Sequence, residues 1–240
     1  MGVIRHNINF DGINARDKEI VIYGGTVDEI AARDVSTVTV PGRNGVLHMD
    51  NGRWGERKQT YLAYLPGNNY PARIAYARTV FGRRGKGYKR LEDTFNADEF
   101  SLASFDDAMK PESMAFRTMG LTELSFSCRP ERFLRTGEQL ITASGAVTLA
   151  NPTGLPALPL FRVHGNAAGI LYVGNSIIYI DVISGYVDID CDLKDCFKGS
   201  VNCNGNVRLA DFPYLGEGTT GINFTGGLTS VEITPRWWRL

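Results

Sequence analysis

Short runs in which apolar and polar residues alternate recur along most of the chain, and they predict a protein built mainly of β-strands. Val35-Ser36-Thr37-Val38-Thr39-Val40 alternates and ends in Pro41-Gly42-Arg43-Asn44-Gly45, a turn cluster, after which Val46-Leu47-His48-Met49 resumes the pattern. Asp50-Asn51-Gly52 reads as a second turn, leading into a strand over 58–65. Asn-Gly stands at both places, and such pairs favour tight hairpins because both residues tolerate positive φ. Ile170-Leu171-Tyr172-Val173, the turn Gly174-Asn175 and Ser176-Ile177-Ile178-Tyr179-Ile180 read as a hairpin. Val187, Ile189 and Cys191 alternate with Asp188, Asp190 and Asp192, which predicts a strand with one buried and one wet face. Leu228-Thr229-Ser230-Val231-Glu232-Ile233-Thr234 alternates up to a closing Pro235-Arg236-Trp237-Trp238-Arg239-Leu240.

One helix breaks the β pattern, over 71–81, with proline in its first turn and Gly82 at its end. Ile74, Ala77, Val80 and Phe81 fall on one face, and Arg73 and Arg78 point elsewhere. A helix this short needs a sheet to lie on. The segment 136–151 reads as a boundary in which Gln139-Leu140-Ile141 and Ala146-Val147-Thr148-Leu149 each add a strand. The proline-rich 151–159 that follows suits an inter-domain entry or an edge strand. The expectation is an N-terminal β domain with one helix over 1–138 and a C-terminal β-sandwich over 139–240.

With 240 residues and 43% hydrophobic content, the chain has enough material for one large or two ordinary globular domains. Acidic and basic residues balance at 26 each, which argues against a protein that grips nucleic acid through its phosphates. The two halves differ mildly, with 20 Lys/Arg against 17 Asp/Glu through Arg135 and 6 against 9 after it. The opening residues lack the apolar core of a signal peptide, and the most apolar stretch, 170–183, is interrupted and too short to cross a bilayer. The expectation is a soluble protein made in a cytoplasm, with its four cysteines as free thiols.

A search for chemistry returns little. Gly82-Arg83-Arg84-Gly85-Lys86-Gly87 is two residues short of a phosphate loop and has Gly87 where Ser or Thr is needed. The stretch 73–90 holds seven basic residues with Tyr76, Phe81 and Tyr88 among them, the composition of a nucleic-acid patch or of a solvated or subunit-facing surface. Asp188-Ile189-Asp190-Cys191-Asp192 opens like a calcium loop, but Leu193 and Gly199 occupy positions that need glycine and glutamate. Three scattered histidines, and Ser144 in Ala143-Ser144-Gly145, form no nucleophile signature. No catalytic residue, metal ligand or cofactor site is expected, and the chain reads as a non-enzyme. The terminal Trp237-Trp238 pair either plugs the base of a sandwich or forms a contact patch.

Six segments, taken in order, resemble one family. They are Val40-Pro41-Gly42-Arg43-Asn44-Gly45, Gly87-Tyr88-Lys89-Arg90-Leu91-Glu92-Asp93, Phe126-Ser127-Cys128-Arg129-Pro130-Glu131-Arg132-Phe133, Asn151-Pro152-Thr153, Asp188-Ile189-Asp190-Cys191 and Pro235-Arg236-Trp237-Trp238. The chain resembles the distal tail (Dit) proteins of long, non-contractile-tailed bacteriophages and prophages, from about residue 10 to 240. Asn44 departs from the Asp expected in that turn, a change between two residues that both suit positive φ.

The resemblance implies a ring-forming N-terminal domain that assembles as a homo-hexamer and a C-terminal galectin-like β-sandwich projecting outward. It implies a virion tail-tip location after assembly in the bacterial host cytoplasm, with the tail tube protein above and a tail-tip or tail-associated lysin protein below. It further implies an outer domain that in many phages holds receptor-binding or baseplate proteins, and DNA that passes through the ring without specific binding; no membrane partner is expected. Candidate contact residues are Pro41, Gly42, Arg43, Asn44 and Gly45 in the hairpin, and Arg83, Arg84, Lys86, Tyr88 and Arg90 in the basic stretch. An alternative function is recognition of cell-wall glycans by the sandwich, with sugar stacking on Trp237 or Tyr172.

Overall fold

A computed structural model describes residues 6–82, 87–105 and 120–240. The chain is mainly β, with one short α-helix among the described residues, and it forms two compact units: Met1–Arg132 with Leu240, and Phe133–Arg239.

The first unit contains β1 (Ile8–Phe10), β2 (Ile13–Asn14), β3 (Val21–Asp28), β4 (Arg33–Thr39), β5 (Val46–Trp54), β6 (Arg57–Tyr64), α1 (Tyr70–Val80), β7 (Lys89–Asp93), β8 (Glu99–Ser104) and most of β9 (Leu121–Leu134). The main sheet runs β2-β1-β7-β8-β9-β6-β3. It is strongly curled, because Gln59 and Tyr61 of β6 donate to the Asp93 carboxylate of β7 at 2.8 and 2.6 Å although β8 and β9 separate those strands in the sheet. Inside the curl, Phe126 meets Phe10, Tyr61, Phe81 and Phe105 at ring-centroid distances of 5.0 to 6.4 Å.

Helix α1 matches the predicted segment to within one residue and adds a cap that the sequence reading passed over. Asn69 accepts a hydrogen bond from the Ala72 N–H at 2.9 Å, satisfying one of the orphan donors of the first turn. Ala77, Val80 and the following Phe81 enter the core. Arg73 does not point away from it: the side chain is buried and its Nε donates to the Gly67 carbonyl at 2.9 Å.

The second unit contains β10 (Ile141–Ala143), β11 (Val147–Asn151), β12 (Leu160–Val173), β13 (Ser176–Ile180), β14 (Gly185–Asp190), β15 (Asp195–Lys198), β16 (Val201–Asn202), β17 (Val207–Arg208), β18 (Gly218–Thr234) and β19 (Trp238–Arg239). Its spine is the antiparallel ribbon of β12 and β18, which is creased in the middle. Before the crease, 160–165 of β12 pairs with β14 and with 228–234 of β18, and β10, β15 and β16 extend that layer. After it, 169–173 pairs with β13 and with 222–226 of β18, and β11 and β17 extend the other layer. Phe161, Val163, Val231 and Ile233 from one layer and Leu171, Val173, Ile178 and Ile222 from the other share a single buried core, which makes the unit a β-sandwich.

Four glycines allow the crease. A Cβ on Gly165 would lie 2.6 Å from the Gly227 carbonyl oxygen, and one on Gly169 would lie 2.5 Å from both Leu228 Cγ and the Thr225 oxygen. Gly226 has φ +77°, and a Cβ on Gly227 would meet that of Ala167 at 2.4 Å. The ladder slips register at this point, as a bulge at a sheet corner does.

The aspartates of β14 overturn the expected wet face. Asp188 and Asp190 are each only 3% exposed, because each lies under an arginine. Arg162 grips Asp188 at 2.7 and 2.9 Å, and Arg236 grips Asp190 at 2.7 Å through both terminal nitrogens. Asp190 also accepts the N–H groups of Asp192 and Leu193, which turns the chain toward β15. Burial works against its charge, but Arg236 and those amides outweigh it and hold the carboxyl below the ordinary range.

The chain end closes this unit. Trp237 is buried in the sandwich core, and its carbonyl accepts from the Leu134 N–H at 2.8 Å. The Arg236 N–H donates to the Gly137 carbonyl at 2.8 Å, and Trp238 Nε1 donates to the Pro156 carbonyl at 2.9 Å. Of the two readings of the tryptophan pair, Trp237 is the plug.

Three outcomes follow for urea unfolding of the sandwich. Gly169→Ala loses about 1–3 kcal/mol through the forced contacts, while Gly221→Ala on the open face of β18 stays within about 0.5 kcal/mol; equal effects would contradict the crease. Trp237→Ala loses about 3–5 kcal/mol if the ring is the core residue described. The folded pKa of Asp190 lies below its starting value of 3.8, so the stabilisation from its pair with Arg236 is present above that pH and fades as pH falls through the folded value. Arg236→Met therefore costs about 3 kcal/mol at neutral pH and distinctly less near pH 3; a cost that ignores pH would show that the pair is not the source.

Candidate assembly surfaces

Strands β4 and β5 form a sheet of their own, and among the described residues they pair with no other strand. The hairpin is longer than the sequence suggests, because Asp50-Asn51-Gly52 is no turn. Strand β5 continues through it, with a register shift opposite Arg33 and Val35 and with Gly52 at φ +74°. The Gly52 N–H donates to Asp50 Oδ1 at 2.8 Å, so the Asx geometry that mimics a turn in sequence serves a bulge in the fold.

The base of this arm is held by polar contacts. Arg33 bonds Asp50 at 2.8 Å and lies 4.8 Å over the Trp54 ring, Arg53 bonds Asp34 at 2.5 Å, and Asn51 links Asp34 and Ser36. Hydrogen bonds from Arg53 hold the Asp34 carboxyl below its ordinary value; for Asp50 the Gly52 amide does so first, then Arg33. At the other end, Gly42 and Gly45 turn the chain with φ of +79° and +81°, and the Arg43 N–H donates to the Val40 carbonyl. All five predicted tip residues, Pro41, Gly42, Arg43, Asn44 and Gly45, are exposed there, about 20 Å along the strands from the base.

Between base and tip, exposed apolar side chains stand on both faces of the arm, more densely on one. Pairing of Val38 with Leu47 and of Ser36 with Met49 puts three apolar side chains on one face; Val35 and Val46 fall on the other with Thr37, Thr39 and His48. Val35, Val38, Val40, Val46, Leu47 and Met49 are all between 38% and 48% exposed. A two-stranded ribbon has no interior and is marginal alone, so such exposure makes the arm a candidate contact surface. Turn chemistry marks only the tip in the sequence; the further signal there is the apolar residues at both parities on either side of that turn.

The basic stretch divides differently. Arg83, Arg84 and Lys86 lie outside the described residues. The Tyr88 hydroxyl donates to Glu56 beside the arm's base. Arg90 turns to its own unit, stacked 3.7 Å from the Phe100 ring centroid and bonded to Glu92 at 2.7 Å. The structure therefore brings Tyr88 to the root of the arm and commits Arg90 to local contacts.

On the sandwich, Trp237 offers no ring for sugar stacking because it is buried. Tyr172 lies on an outer face beside Ile177, with Tyr179 and Ile170 in the next pair. The opposite outer face carries a polar row of Glu232, Arg162 and Asp188, with His164 bonded to Glu232 at 3.1 Å. Its aromatic residue, Tyr186, already has Arg162 and Lys198 against its ring at 4.7 and 5.2 Å. The other two histidines are apart from this row: His6 stacks on Phe95 at 3.7 Å, and His48 stands on the arm.

No protein-family model and no curated protein matches the sequence. A solved structure does match the fold: the Dit protein (gp 19.1) of SPP1, presented as a paradigm of the hub adsorption apparatus in phages that infect Gram-positive bacteria. The TM-score is 0.70 at 12% sequence identity, over 95% of this chain and 98% of that one. The chain thus has a Dit-like fold across nearly its whole length.

Proposed function

We propose that this protein is a structural hub of a phage or prophage tail tip, a distal tail protein that works by assembly. The observation that supports this reading is the near full-length Dit-like fold combined with an arm whose apolar side chains stand exposed among the described residues. Residues 1–138 act as the ring-forming domain and 139–240 as an outer domain that carries adhesion proteins. Six copies close a ring between the tail tube protein and a tail-tip or tail-associated lysin protein. Ring contacts are heterologous, so the β4–β5 arm of one copy meets a different surface of the next. The candidate contact residues are the tip, 41–45, with Tyr88 at the arm's root; Arg83, Arg84 and Lys86, which lie outside the described residues, and Arg90 are candidates from the sequence alone. A neutral chain suits a ring that lets DNA pass without holding it.

Solution mass tests the assembly. Native mass spectrometry of the chain, alone and mixed with tail tube or tail-tip protein, is expected to give a six-fold species in at least one mixture. A monomer in every mixture, bound instead to cell-wall glycan, would replace the hub with the glycan reading. Serine at Val38, Leu47 and Met49 together is expected to abolish the ring while leaving the monomer's stability within about 0.5 kcal/mol, as for surface positions. Rings that persist in that variant would exclude this face of the arm as the contact.

A further inference from the structure

The three clustered cysteines form no metal group among the described residues, and their positions point to a different chemistry. Strands β15 and β16 make the hairpin at the edge of one sandwich layer, and Phe197 pairs with Asn202. One step past the end of β16 the same register puts Cys203 opposite Cys196, and the Cys203 N–H donates to the Cys196 carbonyl at 2.7 Å. Residues directly opposite in such a ladder point to the same side, with Cα atoms about 5.5 Å apart when hydrogen-bonded. That separation is the usual one for a disulfide.

Burial confirms the shared side. Cys196 belongs to the sandwich core and Cys203 packs against the same core, while both are free thiols in this structure. The reciprocal ladder bond is missing: the Cys196 N–H donates to Asn204 and Asp195 side chains, leaving the strands room to adjust at this pair. Cys191 follows β14, whose register puts Ile189 and not Cys191 opposite Cys196.

We propose that Cys196 and Cys203 are a cross-strand disulfide site, closed by exchange with a small-molecule disulfide. Cys203 is the half-exposed member and meets the reagent first. Its thiolate attacks a sulfur of the small disulfide, forming a mixed disulfide and releasing one thiolate. Cys196 then loses its proton to solvent and attacks the Cys203 sulfur, releasing the second thiolate. Two protein thiols are oxidised and one small disulfide is reduced to two thiols. Burial pushes the Cys196 thiol up to about 11, which makes this second step slow at neutral pH and faster in mild alkali. A reducing cytoplasm keeps the pair open, and an oxidising medium closes it. The closed bond staples a two-residue edge strand to its neighbour.

The test incubates the full chain with oxidised glutathione at mildly alkaline pH, blocks remaining thiols, and maps non-reduced tryptic peptides. Trypsin cuts after Lys194, Lys198 and Arg208, so Cys196 and Cys203 fall on the separate peptides 195–198 and 199–208, and Cys191 on a third. The expected result is loss of two of the four thiols, a 195–198/199–208 linked species, and a melting temperature raised by about 4 °C or more that dithiothreitol reverses. Cys203→Ser is expected to keep its remaining thiols and to melt at the same temperature with or without glutathione. Four surviving thiols, a stable glutathione adduct on Cys203, or a link through Cys191 or Cys128 would overturn the assignment. A link that leaves the melting temperature unchanged would remove its role as a staple.

Discussion

A two-stranded ribbon has no interior, and this constraint organises both units. The β12–β18 ribbon meets it by creasing onto itself, so that Phe161 and Val231 on one side of the bend pack in the same core as Leu171 and Ile222 on the other. The bend is possible only because Gly165, Gly169, Gly226 and Gly227 let backbones approach where a Cβ would collide. The β4–β5 ribbon carries apolar residues on both faces without such a crease, and it leaves Val38, Leu47 and Met49 between 41% and 48% exposed. Among the described residues no other strand pairs with it, which is why the arm and not a cleft is the centre of the proposed function.

The elements legible in the sequence were those whose signal is local. The Gly174-Asn175 hairpin and helix α1 depend on turn chemistry and spacing within a few residues, and both stand where the pattern put them. The charges of β14 were misread because alternation cannot distinguish an aspartate in water from one under an arginine. Asp188 is covered by Arg162 and Asp190 by Arg236, partners 26 and 46 residues away in sequence. The Asp50-Asn51-Gly52 bulge failed for a related reason: the same Asx hydrogen bond serves a turn or a bulge, and only the partner strand decides. The crease was invisible because its glycines sit inside what reads as continuous strand.

The segments that carried the resemblance prove to be joints of the architecture. Asn151 bonds the carbonyls of Leu155, Leu215 and Gly216 through its amide while its oxygen accepts from Thr153, tying the 151–155 loop to 215–216. Phe126 and Cys128 lie in the first core, Asp93 bridges the curl of the first sheet, and Arg236 with Trp237 closes the sandwich. Residues of this kind identify a fold without forming a site. The tip 41–45 is the exception, since it is exposed at the end of the uncovered arm.

The most direct test of the central claim is hydrogen exchange along 33–54, measured on the monomer and on the assembled ring. Cover supplied by a neighbouring copy predicts that amides around Val38, Leu47 and Met49 exchange quickly in the monomer and become strongly protected in the ring, more than those of the sandwich strands. Equal exchange in the two states, in a ring that has demonstrably formed, would contradict the claim that the arm is what joins the copies.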